Sequence, residues 1–194
     1  MIEKENNSMD KKRLAQLIEI LDNPKRREDI PPEKLLHMLP IKKGDNFLDL
    51  GAGTGYITIP AAKIVEGLVY ALDMNHHMLE FINSKAEKEN ITNIETLQGN
   101  IDNIPLPDNS IDFALASLVL HEVKQLTHSL QQIIRVMKPD GYFICIEIEK
   151  KDNSADSHPR IASSVMEQEL MNAGLKVTQK LYPTDAIYII IAKK

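Results

Sequence analysis

The chain has 194 residues, 43% of them apolar, and a formal net charge of −5. That length carries one α/β domain with a substantial core, and the acidic balance argues against a nucleic-acid backbone as the main partner, which would need a basic surface. A single cysteine, Cys145, excludes an internal disulfide and a cysteine-based zinc site. No apolar run approaches the ~18 residues of a membrane span, and the opening MIEKENNSMDKKR lacks the apolar core of a secretion signal, so a cytoplasmic protein is expected.

Leu14, Leu17, Ile18 and Leu21 recur at helical spacing and predict an amphipathic helix that Asn23-Pro24 ends. Lys25 to Asp29 reads as a solvated charged loop, or as one whose arginine or lysine reaches over a ligand. Pro31-Pro32 opens a short helix with Leu35, Leu36 and Leu39 on its apolar side. Residues 1–45 therefore form a helical segment ahead of a main domain at 46–194.

The main domain opens on Asn46 to Tyr56, NFLDLGAGTGY. Phe47 to Leu50 is a short apolar strand with Asp49 near its end. Gly51, Gly53 and Gly55 follow at alternate positions, and Ile57, Ala61, Ile64 and Val65 then recur at helical spacing. Strand, glycine turn and helix in that order make a ligand cradle. Glycines permit φ > 0 and close backbone approach, and a helix N-terminus over the turn suits an anion. The dinucleotide fingerprint G-x-G-x-x-G is not met, because Tyr56 occupies its last position.

Leu68 to Asp73 predicts the second strand. Asp73 stands at its tip, 22 residues after Gly51, where an acid accepts both hydroxyls of a ribose. Asn75 is placed to cap the next helix, whose inner side is Met78, Ile82 and Ala86. Ile94 to Gln98 is a third strand. Gly99-Asn100-Ile101-Asp102 and Ile104 to Asp108 follow as a loop. Ile111 to Val119 is apolar enough for a buried central strand, and it ends at Leu120-His121-Glu122. Leu126, Leu130, Ile133, Ile134 and Met137 form a helical stripe, and Lys138 to Gly141 turns the chain into a fifth strand on which Ile144, Ile146 and Ile148 alternate. Cys145 lies inside that strand as a buried thiol. After a polar loop at Lys150 to Pro159, Ile161 to Ala173 is the last helix, with Gly174 as its C-cap. Leu175–Leu181 and Ala186–Ala192 close the chain as a hairpin.

The G-x-G-x-G turn with Asp49 before it and Asp73 after it resembles motif I of the class I S-adenosylmethionine (SAM)-dependent methyltransferases. The segment DLGAGTGY is most similar to the branch that includes the ubiquinone and menaquinone methyltransferases. The resemblance runs from Asn46 to the C-terminus. It implies a Rossmann-like three-layer α/β sandwich, with a seven-stranded, mostly parallel sheet and an antiparallel last strand. It implies SAM as cofactor, held by Asp49, Gly51, Ala52, Gly53, Thr54, Gly55, Tyr56, Asp73, Met74, Asn100, Ile101 and Ser117. Asn100 departs from the family's aspartate, and its amide oxygen can still accept from the adenine amino group.

Because the cofactor brings the reactive methyl, the protein's part is chiefly to bind and align. If a general base adds to this, the tip of strand four is its place. His121 is the candidate, with Glu122 beside it as orienter or second base. The histidine spacing gives no metal site. A small-molecule acceptor fits the bare lid, which residues 1–45, the loop before the last helix, or a partner subunit in a homodimer would supply. The rival readings are a SAM-binding protein without transfer activity and an NAD-linked oxidoreductase.

Overall fold

The computed structural model describes residues 18–19, 23–150 and 159–194. The predicted helix at Leu14–Leu21 and the centre of the loop before the last helix lie outside these residues, apart from Ile18 and Glu19. Fourteen segments of regular backbone follow: α1 (Pro24–Asp29), α2 (Pro32–His37), β1 (Phe47–Leu50), α3 (Thr58–Ile64), β2 (Val69–Asp73), α4 (His76–Lys88), β3 (Ile94–Gln98), β4 (Ile111–Ser117), a 3₁₀ turn (Leu120–Glu122), α5 (Leu126–Val136), β5 (Met137–Ile148), α6 (Ser163–Asn172), β6 (Lys176–Thr184) and β7 (Ile187–Lys193).

The strands form one sheet in the order β3-β2-β1-β4-β5-β7-β6. The first five are parallel, and β7 runs antiparallel between β5 and β6. Side-chain alternation divides the core into two layers. Leu48, Leu50, Ala114, Phe143 and Cys145 face α5 and α6, where Leu130, Ile133, Met166 and Leu170 cover them. Phe47, Phe113, Leu115, Ile144 and Ile146 face the other way, toward α2 and α3. A parallel sheet covered on both faces needs apolar residues at every position, and Phe47–Leu50 is buried throughout.

Two expectations are corrected. Lys25–Asp29 is helical, because Pro24 supplies the fixed φ of a first helical residue where a helix break was expected. The Lys138–Gly141 turn is absorbed into β5. Asp140 takes φ +67 there, and the pairing with β4 shifts register between Ile111 and Phe113. Ile30, Leu35, Leu36 and Leu39 are buried against Tyr56, Ile57 and Val65, so the described part of the N-terminal segment is bound to the back of the cradle.

Gly67 shows how tightly the entry to β1 and β2 is built. A Cβ at Gly67 would lie 2.3 Å from the Asp45 carbonyl oxygen, whereas one at Gly44 meets nothing within 4 Å. Gly67→Ala is expected to cost about 1–3 kcal/mol or more through backbone displacement, lowering Tm by several degrees relative to Gly44→Ala. Equal melting temperatures for the two variants would refute this contact.

Candidate functional site

β1 pairs with β2 on one side and β4 on the other, so the strand order reverses at β1. Beyond the carboxyl ends of these strands lies the crevice that such a reversal opens. The chain fills it with the glycine turn. Gly51, Gly53 and Gly55 all have positive φ, at 66°, 52° and 79°. The turn is held from below by Gly51 N–H and Ala52 N–H, which both donate to the Leu72 carbonyl at 2.8 and 3.0 Å. The helix start is set back to Thr58, so the turn itself, and not the first turn of α3, presents backbone to the cavity.

Asp73 ties the turn to β2. Its Oδ2 accepts from Gly53 N–H at 2.8 Å and its Oδ1 from Asn75 N–H at 2.8 Å. Asn75 in turn caps α4 by accepting from His77 N–H. A carboxylate has about four lone-pair sites. Two are used here, which leaves two, the number a vicinal diol requires.

A cavity of about 550 Å³ opens over this arrangement. It is lined by Gly51, Ala52, Gly53, Asp73, Met74, Asn100, Ile101, Ser117 and Glu122 from the predicted set, joined by Asn75, Met78, Val119 and Val123. Its walls are apolar where Met74, Met78, Ile101 and Val119 meet, and polar at Asp73 and Asn100. Arg135 fixes the loop wall from outside, donating to the carbonyls of Leu106 at 2.8 Å and Ile104 at 2.7 Å and pairing with Asp108. Asn100 is the turn former of that loop, since its Oδ1 accepts from Asp102 N–H at 3.1 Å.

The other predicted site residues are placed elsewhere. Asp49 is buried beneath the turn and accepts from Thr58 Oγ at 2.6 Å. Thr54 is buried, and its carbonyl accepts from Lys85 Nζ at 3.0 Å. Gly55 and Tyr56 line a separate cavity of about 390 Å³ behind the turn, with Arg27, Lys63 and Lys85. Tyr56 OH donates to the Ile30 carbonyl at 2.6 Å, and the Arg27 guanidinium lies 5.7 Å from its ring. These residues shape the cradle and join it to the N-terminal helices.

At the tip of β4 the backbone breaks sharply. Leu118 adopts φ +58, a left-handed conformation that costs a branched residue about 1–3 kcal/mol. Its N–H donates to the Ile146 carbonyl at 2.8 Å. The break turns Val119 across Gly51 and starts the 3₁₀ turn that carries His121 and Glu122.

His121 meets a residue that the sequence reading passed over. Glu147 of β5 is fully buried. Its Oε2 lies 2.7 Å from His121 Nδ1, and its Oε1 accepts from Leu120 N–H at 2.8 Å and His121 N–H at 3.3 Å. The hydrogen bond to Glu147 is the main cause that raises the His121 pKa above its ordinary value, with burial opposing it. The signal that could have found Glu147 is an acid inside a strand that both faces of the sheet cover, near the carboxyl end of that strand. Glu122 is the exposed neighbour, 3.9 Å from His121 Nε2.

The helix start at α4 also brings His76, His77 and Glu80 within 4.8 Å of one another, a grouping that the histidine spacing did not suggest. All three are exposed, and His77 Nδ1 already meets Glu80 Oε2 at 3.1 Å. No helix among the described residues is long and apolar enough to cross a membrane.

Comparison with known proteins agrees with this geometry. A family model described as a methyltransferase domain matches residues 41–188. A demethylmenaquinone methyltransferase of Geobacillus stearothermophilus is 32% identical over 145 residues, covering 74% of this chain and 60% of that protein. One from Geobacillus sp. strain WCH70 is 33% identical over 117 residues, 59% of this chain and 50% of that protein. The chain thus spans only half to three fifths of these curated relatives. The crystal structure of a SAM-dependent methyltransferase from Aquifex aeolicus superposes with a TM-score of 0.82 at 29% identity, covering 91% of this chain and 96% of that one.

Proposed function

Since the chain belongs to the class I SAM-dependent methyltransferases, we propose that it catalyses transfer of a methyl group from SAM to a small-molecule acceptor. The observation that carries this reading is the glycine turn tied by Gly53 N–H to Asp73 at the floor of the large cavity. Bound there, SAM supplies a sulfonium-activated methyl that a nucleophile can take by in-line displacement.

The residues present fit that cofactor. Gly51 keeps the floor of the cavity clear, since a Cβ there would fall 2.6 Å from Val119 Cγ2. The two acceptor sites left on Asp73 suit the ribose hydroxyls. Met74, Met78 and Ile101 suit a flat apolar base, and Asn100 offers an amide at its edge. Alignment of two bound reactants alone supplies about 7–11 kcal/mol of a barrier, so the reading does not depend on any one acid or base. The names of the Geobacillus relatives suggest a reduced quinone ring as acceptor. A small hydroxylated aromatic is the wider class to which it belongs.

Calorimetric titration with SAM, S-adenosylhomocysteine and NAD, run side by side, tests the reading. Micromolar binding of the first two and none of NAD is expected. Binding of NAD alone would overturn the assignment and favour hydride chemistry in the same crevice.

A further inference from the structure

We propose that Glu147 is a positioning residue. It holds His121 with Nδ1 turned into the protein and Nε2 left to take a proton from the acceptor, so that the acceptor is one that must lose an acidic O–H or N–H proton as it is methylated. The proposal rests on the methyl-transfer reading above and adds to it the chemical class of the acceptor and the residue that prepares the base.

Geometry assigns the tautomer. Glu147 presents only acceptor oxygens to the 3₁₀ turn, and three donors converge on them: Leu120 N–H, His121 N–H and His121 Nδ1, at 2.8, 3.3 and 2.7 Å. With Nδ1–H committed to Glu147, the lone pair of the neutral ring is on Nε2. The backbone bonds fix the turn and the side-chain bond fixes the ring, so position and tautomer are set by one buried carboxylate. The turn is flanked by Val119, Glu122 and Val123, all of which line the cavity. The His121 side chain is 11% exposed, so the ring is held yet keeps an accessible edge.

The groups that face this pair leave Glu147 dominant. Glu122, on the same turn, also favours the protonated ring, and Arg160, ahead of α6, opposes it. Cys145 and Tyr188 flank Glu147 from the sheet, and burial pushes both upward, so each stays neutral. In the step itself the acceptor's proton passes to Nε2 and then to water. The bond from acceptor to methyl forms as the bond from methyl to sulfur breaks, and the sulfur keeps the electron pair. No oxidant or reductant is needed.

Glu147→Gln separates positioning from simple support. A glutamine oxygen can still accept from Leu120 N–H and His121 N–H. Its amide group then donates toward Nδ1, which forces the ring proton onto Nε2 and removes the lone pair that would act as base. The test follows the histidine ring nitrogens of the full-length protein by ¹⁵N NMR across pH, with His121→Asn to assign the signal. The wild type is expected to show Nδ1–H and titration above the ordinary histidine range. Glu147→Gln should show Nε2–H and titration at lower pH, with SAM affinity unchanged by calorimetry.

Transfer of labelled methyl to catechol, hydroquinone and 1,4-dihydroxynaphthalene gives the functional arm. Wild-type transfer should rise with pH through the titration seen by NMR, because the ring must be neutral to accept a proton. Glu147→Gln and His121→Asn should each lose ~10²-fold or more, the low end of general-base contributions. If SAM binds and either the tautomer ignores Glu147→Gln, or the pH profile does, or none of the three acceptors is methylated, the proposal fails. Absence of SAM binding in the wild type would instead remove the methyl-transfer reading beneath it.

Discussion

Gly51→Val is expected to weaken SAM binding by ~30-fold to several thousand-fold while leaving the fold intact. The size follows from two costs that fall on the same atom. Gly51 has φ +66, where a side chain costs about 1–2 kcal/mol and a β-branched one is a true outlier. A Cβ there would also approach Val119 at 2.6 Å from Cγ2 and 3.0 Å from Cβ, and overpacking of this kind costs about 1–3 kcal/mol. Val119 cannot swing away cheaply, because the strained Leu118 before it and the Glu147-bound turn after it fix its backbone. The added methyl groups therefore enter the cavity floor. Together the costs come to roughly 2–5 kcal/mol, at 1.4 kcal/mol per tenfold change in affinity. Calorimetric titration with SAM, alongside thermal melting to confirm folding, checks this. Affinity within threefold of wild type would remove the glycine turn from the site.

The cradle was legible because its signals are local. Gly51, Gly53 and Gly55 announce positive φ, Asp73 ends a run of strand residues, and Asn75 caps the helix as a short amide should. The strand order and the closing hairpin followed from the alternation of elements and the resemblance of the glycine turn to known methyltransferases. Glu147 was not legible for the opposite reason. Reading Ile144, Ile146 and Ile148 as one buried face leaves Cys145, Glu147 and Glu149 on the other, and a glutamate on an alternating strand reads as solvent-facing. β5 is central, however, with β4 on one side and β7 on the other, and both its faces are covered. Glu147 continues the Phe143–Cys145 series toward α5 and α6, and its partner His121 lies 26 positions away. Only the three-dimensional placement of the β4 tip beside β5 joins them. The same limit applies to Asp49, Thr54 and Tyr56. One motif supplied both the residues that line the cavity and those that support it from beneath, and spacing alone does not separate the two.

Asp73→Ala is expected to weaken SAM binding ~10–150-fold, from loss of charge-assisted hydrogen bonds worth about 1.5–3 kcal/mol. The substitution does two things, and they can be told apart. It removes the acceptor sites proposed for the ribose, and it releases Gly53 N–H and Asn75 N–H, each held at 2.8 Å. Asn75 keeps its own cap on His77 N–H, so the start of α4 survives, and the release falls on the glycine turn. If turn support were the whole of the role, SAM and a cofactor analogue lacking the ribose hydroxyls would lose affinity by the same factor. If Asp73 also takes the hydroxyls, the 2′,3′-dideoxy analogue should already bind weakly to the wild type and lose little more in Asp73→Ala. Calorimetry on both ligands with both proteins closes that cycle. A coupling near zero would confine Asp73 to holding the turn. A coupling on the order of 1 kcal/mol or more, as expected for a charge-assisted pair, would place the ribose on its two remaining lone-pair sites and fix the orientation of the cofactor over β1 and β4.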